Sequence, residues 1–307
     1  MSQFEIWPQE IYLIELYSSV EYFKELVDAF KNMLDAAENA LELFMQDLPY
    51  DYRAKHISLQ PDIVWEERVL PNFRSTLDSL NYGYKRLLDG DLSALQYAGN
   101  VKSDFNAQST DYLPDWMDEN NFILFDQWQS KARLLASNIK ATVMGNWVTG
   151  NLSHRYNIQA RGELNLPSSL PIYHLNLDVM VKTGETVPQD GVYIPVIQEA
   201  SAQLLLKGHD AIEALVGLSR SGLQYAREES TTWLLVRRIA DEGGSSETIQ
   251  AESLKGFAGQ TCQRTGNWWS PANQSQARYF EQGEVFPEIK NNSWGETIWY
   301  LEVTNKK

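Results

Sequence analysis

Over the first fifty residues the apolar positions form a single seam. Leu16, Val20, Phe23, Val27, Phe30, Leu34, Ala37, Leu41, Phe44 and Leu48 follow one another at alternating steps of four and three. That is the repeat of one buried helix face. It predicts one long helix from about Pro8 to Gln46, with Pro8 in the first turn and Pro49 beyond the end. Phe73, Leu77, Leu80, Tyr84 and Leu87 predict a second helix over Asp62–Leu88, closed by Gly90, with a kink or break at Pro71. Asp91 is placed to cap a third, shorter helix through Leu92, Leu95, Ala98, Val101 and Phe105. Phe125, Trp128, Ala132, Leu135, Ile139 and Val143 predict a fourth from about Glu119 to Met144, stopped by Gly145-Asn146. Amphipathic helices with short links predict an antiparallel bundle over residues 1–148.

Beyond it the period changes. Residues 146–170 are polar and punctuated by Gly, Pro and Ser, and read as a junction. Tyr173, Leu175, Leu177, Val179 and Val181 then alternate with polar or flexible residues, which predicts a strand buried on one face. An internal repeat follows. At an offset of 75, Gly184, Thr186, Gly191, Ala202, Gly208 and Glu213 meet Gly259, Thr261, Gly266, Ala277, Gly283 and Glu288, and Tyr193 faces Trp268. At an offset of 66, Thr231-Thr-Trp233 meets Thr297-Ile-Trp299. Two related β-rich modules are expected in tandem, over residues 165–241 and 254–307, each a small bent sheet or partly open barrel. The first carries an insertion at 211–230, with Ile212, Leu215 and Val216 at helical spacing. Residues 241–256 read as a linker. The fold class expected is therefore α+β.

The charge is uneven. The chain of 307 residues carries a net charge of −15. Residues 1–150 hold 23 acids and 12 bases, against 18 and 14 in the rest. An acidic helical half disfavours nucleic acid and anionic membranes and suits a basic partner, although solubility alone would also account for it. A single cysteine, Cys262, excludes an intrachain disulfide and a cysteine-based zinc site. The first residues lack the character of a signal peptide, and no apolar run reaches the length of a membrane span, so a cytoplasmic protein is expected.

A search for catalytic groupings returns none. His56, His154, His174 and His209 have no neighbour at metal-ligand spacing, and GxSxG, P-loop, GxGxxG and HExxH patterns are absent. No cofactor and no metal is expected. Cys262 lacks a nearby histidine and reads as structural. Glu284 and Glu288 sit at a turn entering a strand, where Glu284 suits a backbone-bonding role better than paired-acid chemistry. Trp268-Trp269 could stack on a sugar or base, but sheet packing is their commoner use. One stretch has the composition of a binding loop. In Asp111-Tyr112-Leu-Pro-Asp115-Trp116-Met117-Asp118-Glu119, four acids are interleaved with Tyr112, Trp116 and Met117. Aromatic anchors beside negative charge suit recognition of a protein partner, and Asp111, Tyr112, Asp115, Trp116, Asp118 and Glu119 are the candidate contact residues. The alternative role for Trp116 is packing onto the bundle, with Asp118 as a helix cap.

The end of the chain carries a specific pattern. It reads Cys262-x-x-Thr265-Gly266-x-Trp268, Pro271-Ala272, Arg278-x-Phe280, Gly283-Glu284-x-x-Pro287 and Trp294-Gly295-x-Thr297-Ile298-Trp299. This resembles the C-terminal signature of bacterial immunity proteins of the seventy-one/seventy-two type, which neutralise polymorphic toxins such as Rhs effectors of type VI secretion. Gln263 stands where that family often has proline, and Ala277 where it often has a second basic residue. The resemblance covers about a seventh of the chain and implies a non-catalytic protein that binds a cognate toxin in the producing cell. Two other functions compete with it. One is a carbohydrate- or peptide-binding pair of modules. The other is a hydrolase, which would need a pocket where carboxylates converge.

Overall fold

The computed structural model describes residues 5–219, 224–244, 249–250, 255–270, 272, 277–290 and 297–301. The long first helix is two helices, α1 (Pro8–Tyr17) and α2 (Val20–Gln46). The break falls at Ser18-Ser19, where both hydroxyls compete with the helical ladder. Ser18 Oγ donates back to the Ile14 carbonyl at 2.7 Å, and Ser19 Oγ accepts from the Tyr22 amide at 3.1 Å as the cap of α2. The predicted seam from Phe23 to Leu41 is buried. At Pro71 the chain does not break out of helical conformation. After α3 (Pro61–Val64) a π-helical turn over Trp65–Val69 runs directly into α4 (Leu70–Leu88). A proline lacks the N–H for the carbonyl four residues back, and one wide turn just upstream absorbs that mismatch.

Asp91 is a cap, its carboxylate accepting from the Ser93 amide at 3.0 Å. The element it caps begins as a 3₁₀ stretch, Leu92–Ala98, and only then becomes α5 (Gly99–Asp111). Helix α6 (Glu119–Val143) lies antiparallel to α2. Lys131 sits 3.6 Å from Glu25, Asn138 donates to the Tyr22 hydroxyl at 2.9 Å, and Trp116, just before α6, meets Phe44 near the end of α2. Phe30, Phe73 and Phe105 from α2, α4 and α5 meet at the centre.

The polar junction is less exposed than its composition suggests. Trp147 and Leu152 are fully buried in the helical core. Helix α6 ends in a Schellman motif: the Gly145 amide reaches Thr142 O and the Asn146 amide reaches Ala141 O. Gly145 has φ +63°, and this turn sends Trp147 inward. There the Gln203 side chain clamps the Trp147 backbone on both sides, at 3.2 and 2.6 Å. A Cβ at Gly145 would also fall 2.3 Å from Ile212 Cδ1. Gly145→Ala is therefore expected to lower unfolding stability by about 1–2 kcal/mol, measured by urea denaturation. An unchanged midpoint would show that neither the turn nor its neighbour is constrained.

After the short α7 (Ile158–Arg161) the elements that follow among the described residues are strands. In order come β2 (Leu170–Lys182), β3 (Gly191–Pro195), β4 (Gln203–Leu205), β5 (Ala214–Val216), β6 (Arg227–Glu229), β7 (Thr232–Gly244), β8 (Ile249–Gln250), β9 (Lys255–Phe257), β10 (Gly266–Trp269), β11 (Ala277–Phe280) and β12 (Ile298–Leu301). A further strand, β1 (Glu5–Ile6), precedes α1 and pairs with β8. Every pairing is antiparallel. The fold is α+β, helices first and small sheets after.

The two four-stranded sheets have one topology. Their strand orders are β2-β7-β3-β4 and β9-β12-β10-β11, which is first-fourth-second-third within each set. The correspondence reaches single hydrogen bonds. Gly184 N bonds Ala211 O as Gly259 N bonds Phe286 O, and Gly208 N bonds Val187 O as Gly283 N bonds Cys262 O. The Trp233 indole donates to Ile212 O at 2.8 Å and the Trp299 indole to Pro287 O at 2.9 Å. Tyr193 OH donates to Gln189 O as the Trp268 indole donates to Arg264 O. Gly184, Gly208, Gly259 and Gly283 all have positive φ, between +81° and +96°. These four glycines recur because both modules turn the chain through the left-handed region at the same places.

Three strand-level expectations are corrected. In β2 the register slips between Asn176 and Met180, so Asn176 is buried where alternation placed it outside. The helical spacing at Ile212, Leu215 and Val216 is realised as a hairpin, β5 with β6, because Ala214 and Val216 face the module's core on a period of two. The stretch read as a linker begins as strand, β7 continuing to Gly244, and contains β8.

The modules differ in what lies behind them. Tyr173, Val192, Ile194, Ala202, Leu204 and Val236 of the first sheet belong to the same hydrophobic cluster as the helices. The second module has its own small core of Cys262, Trp268, Phe280, Phe286 and Trp299. Its Ala277 and Tyr279 correspond to Ala202 and Leu204 but are exposed. Arg264 joins it to the first module, bonding Leu177 O at 3.3 Å and Asp178 at 3.1 Å.

Candidate functional site

The loop Asp111–Glu119 lies where the end of α2 meets the start of α6. Its Trp116 is half-buried and packs edge-on against Trp65 at 5.2 Å and Phe44 at 5.7 Å. Trp65, 3 % exposed, contacts Phe73 and Phe125 in turn, so Trp116 is the outer end of an aromatic chain that reaches the core. Packing onto the bundle is therefore part of its role. Its indole nitrogen is buried and has no hydrogen-bond partner. An unpaired buried donor of this kind costs about 1–3 kcal/mol.

Around Trp116 opens a groove of about 590 Å³. Phe44, Leu59, Val64, Trp65, Tyr112 and Leu113 form its apolar lining, while Lys55 and Asp115 stand at polar points of it. The wall on the α3 side is held by an ionic knot. Arg53 lies 2.7 Å from Asp62, which also accepts from the Tyr52 hydroxyl. Burial pushes the Asp62 carboxyl upward, but the Tyr52 and Arg53 hydrogen bonds outweigh it and hold the acid below its ordinary range. Burial and the Asp62 contact push the Tyr52 phenol up to about 12. Arg68 donates to the Tyr112 hydroxyl at 3.4 Å.

The surroundings of the groove are apolar to an unusual degree. Eight of the sixteen large apolar side chains exposed among the described residues lie at this end of the bundle: Leu43, Tyr50, Ile57, Leu59, Leu113, Phe122, Ile123 and Leu124. Leu59 and Leu113, which line the groove, are 64 % and 61 % exposed. The segments that carry the patch, 42–68 and 111–124, hold ten acids and three bases. Exposed apolar side chains gathered around a groove are a feature of interaction sites.

The six candidate contact residues separate on this geometry. Tyr112, Asp115 and Trp116 line the groove. Glu119 is exposed in the first turn of α6. Asp118 is exposed and caps that helix, accepting from the Asn121 amide at 3.2 Å and its side chain at 2.7 Å, which lowers its carboxyl from the ordinary range. The Asp111 side chain lies outside the described residues. Sequence inspection missed the other half of the groove, Phe44, Leu59 and Trp65. The signal available was the run Ile57-Ser-Leu59, an apolar pair between helices with no helical seam to join.

The other chemistry considered resolves as packing. Cys262 is buried, with its thiol on Arg264 O. Glu284 accepts from the Glu281 amide at 2.9 Å, and both Glu284 and Glu288 are exposed. Trp268 is 3 % exposed inside its module, so its ring is unavailable to a sugar, and the Trp269 side chain lies outside the described residues. Among the described residues no set of three or more His, Cys, Asp or Glu converges as metal ligands, and no helix is long and apolar enough to cross a membrane. No family model, no curated protein and no solved structure matches the chain.

Proposed function

We propose that this chain is a binding protein that grips a second protein through the groove end of its helical bundle, and that the partner is a toxin it neutralises. The observation that carries the binding is the apolar patch gathered around the Trp116 groove inside an acidic surround. The toxin as partner rests on the resemblance of the Cys262–Trp299 signature to the immunity family. A half-buried tryptophan beside exposed leucines is the composition of an interface hot spot. The acids around it would speed encounter with a basic partner, while the apolar contacts set the lifetime of the complex.

Co-expression with the toxin encoded beside this gene tests the function. Cells are expected to survive with the wild-type chain and to die without it, and equal killing in both would refute the proposal. Surface variants test the site. Trp116→Ala is expected to weaken binding by about 2 kcal/mol, roughly thirtyfold in Kd, chiefly through faster dissociation. Asp115→Lys with Glu119→Lys is expected to slow association about tenfold at low salt. Asp118 is left intact, because reversing it would also remove the cap of α6, at about 1 kcal/mol. Wild-type kinetics in both variants would move the interface elsewhere on the molecule.

A further inference from the structure

A second cleft opens where the helical body meets the first sheet, and it shares no residue with the groove. It has a volume of about 260 Å³ and lies between the start of α1, the loop after Trp147 and the turn that follows β3. Trp7, Glu10, Thr149, His154, Gln198 and Glu199 supply its functional groups, and no lysine or arginine lines it. Glu10 reaches it from the first turn of α1 and is only 5 % exposed. Its carboxyl is met by the Ser153 hydroxyl at 2.7 Å, by the Ser201 hydroxyl and by the Gly150 backbone. Every one of these partners is neutral, and no salt bridge reaches Glu10 among the described residues.

The walls are held in place. The His154 ring lies 5.8 Å from the Trp7 ring, over Gly150, where a Cβ would come within 2.6 Å of it. Glu199 is the only non-glycine residue with positive φ among the described residues, at +55°, and its carbonyl is tied to the Gly217 amide at 2.8 Å. A residue held in the left-handed region costs about 1 kcal/mol and is characteristic of ligand clamps.

We infer that this cleft is a binding site for a small organic ammonium ion. A buried carboxylate with only neutral donors lacks a counter-charge, and a cation in the cleft would supply one. Glu199 would add a second negative group, and the Trp7 face a cation–π contact. A compact amine fits this volume, whereas a drug-sized ligand needs more. No step of this site depends on the groove or on the proposed partner.

The test is an NMR titration of the full chain with n-butylamine, with n-butanol as the neutral match. Butylamine is expected to give saturable shifts at Trp7, Thr149 and His154, while butanol gives none that saturate. Glu10→Gln keeps the shape of the side chain and removes its charge, and should weaken butylamine binding at least tenfold. Trp7→Leu should weaken it severalfold. Identical responses to the amine and the alcohol, or undiminished amine binding in folded Glu10→Gln, would overturn the inference.

Discussion

Glu10→Gln is expected to be more stable than the wild type by about 3 kcal/mol at pH 8, and nearly equal to it at pH 4. Burial is the main cause, pushing the Glu10 carboxyl up from 4.5 to about 7 against the opposing hydrogen bonds of Ser153, Ser201 and Gly150. The sign follows from proton counting. Below pH 4.5 both folded and unfolded states hold the proton, and nothing is lost. Between about 4.5 and 7 the unfolded chain has released it and the folded chain has not, so stability falls as pH rises. Above 7 both are ionised, and the folded state carries the full cost of a desolvated carboxylate. At about 1.36 kcal/mol for each pH unit that cost is about 3 kcal/mol. The structure also accommodates the neutral form. The single Ser201 proton has two acceptors within reach, the Glu10 carboxylate and Val148 O at 3.1 Å, so with Glu10 neutral it can turn to Val148 O and leave the Ser201 oxygen to accept from a protonated Glu10 or an amide. Urea denaturation of both proteins at the two pH values measures the difference. The other shifted acids, Glu15, Asp62, Asp91 and Asp118, are common to both proteins and cancel. A difference that does not change with pH would mean that Glu10 titrates like an exposed acid. The same stability keeps Glu10→Gln folded in the amine titration, so loss of binding there cannot be loss of structure.

Trp233→Ala and Trp299→Ala remove equivalent indoles from equivalent modules, yet they are expected to fail differently. Each side chain is at most 1 % exposed and donates to a backbone carbonyl. Truncating a buried tryptophan costs about 3–5 kcal/mol, and each change also leaves a carbonyl without its partner. Trp233 stands in a sheet whose other face, through Val192, Ile194, Leu204 and Val236, is continuous with the helical core. Losing it should lower the melting of the whole molecule. Among the described residues, Trp299 closes a core of five buried side chains to which the helices of the bundle contribute none. Losing it should open the second module while the helical signal melts as in the wild type. Circular dichroism at the helix band together with limited proteolysis separates the two outcomes. Equal shifts of the helical transition would show that the second module is coupled to the bundle as tightly as the first.

Part of this architecture is legible residue by residue. The α2 seam, the α6 seam and the Asp91 and Asp118 caps depend on neighbours three or four positions away, and the sequence states those directly. The duplication is legible for a different reason. Four of the repeated glycines, Gly184, Gly208, Gly259 and Gly283, turn the chain through positive φ, and at the other two, Gly191 and Gly266, a Cβ would crowd Leu235 and Leu301, so the same residue type returns at the offset of 75. Where two local rules compete, the sequence misleads. Ser18-Ser19 is compatible with a continuing helix and with a break, and Ile212, Leu215 and Val216 fit a helix or a hairpin about equally well. Packing against the rest of the module decides such cases, as it does for the phase slip at Asn176.

The sequence by itself determined the order of helices and sheets, the acidic character of the helical half, the repeat and the loop that carries Trp116. Only the tertiary structure decided what that loop faces. Phe44, Leu59, Trp65 and Trp116 come from four segments, and their convergence depends on α2 and α6 lying antiparallel. The same holds for Glu10, whose hydroxyl partner Ser153 is 143 residues away. Side-chain periodicity records which face of an element is buried, but not which distant element buries it. A groove and a desolvated carboxyl are both products of that second choice.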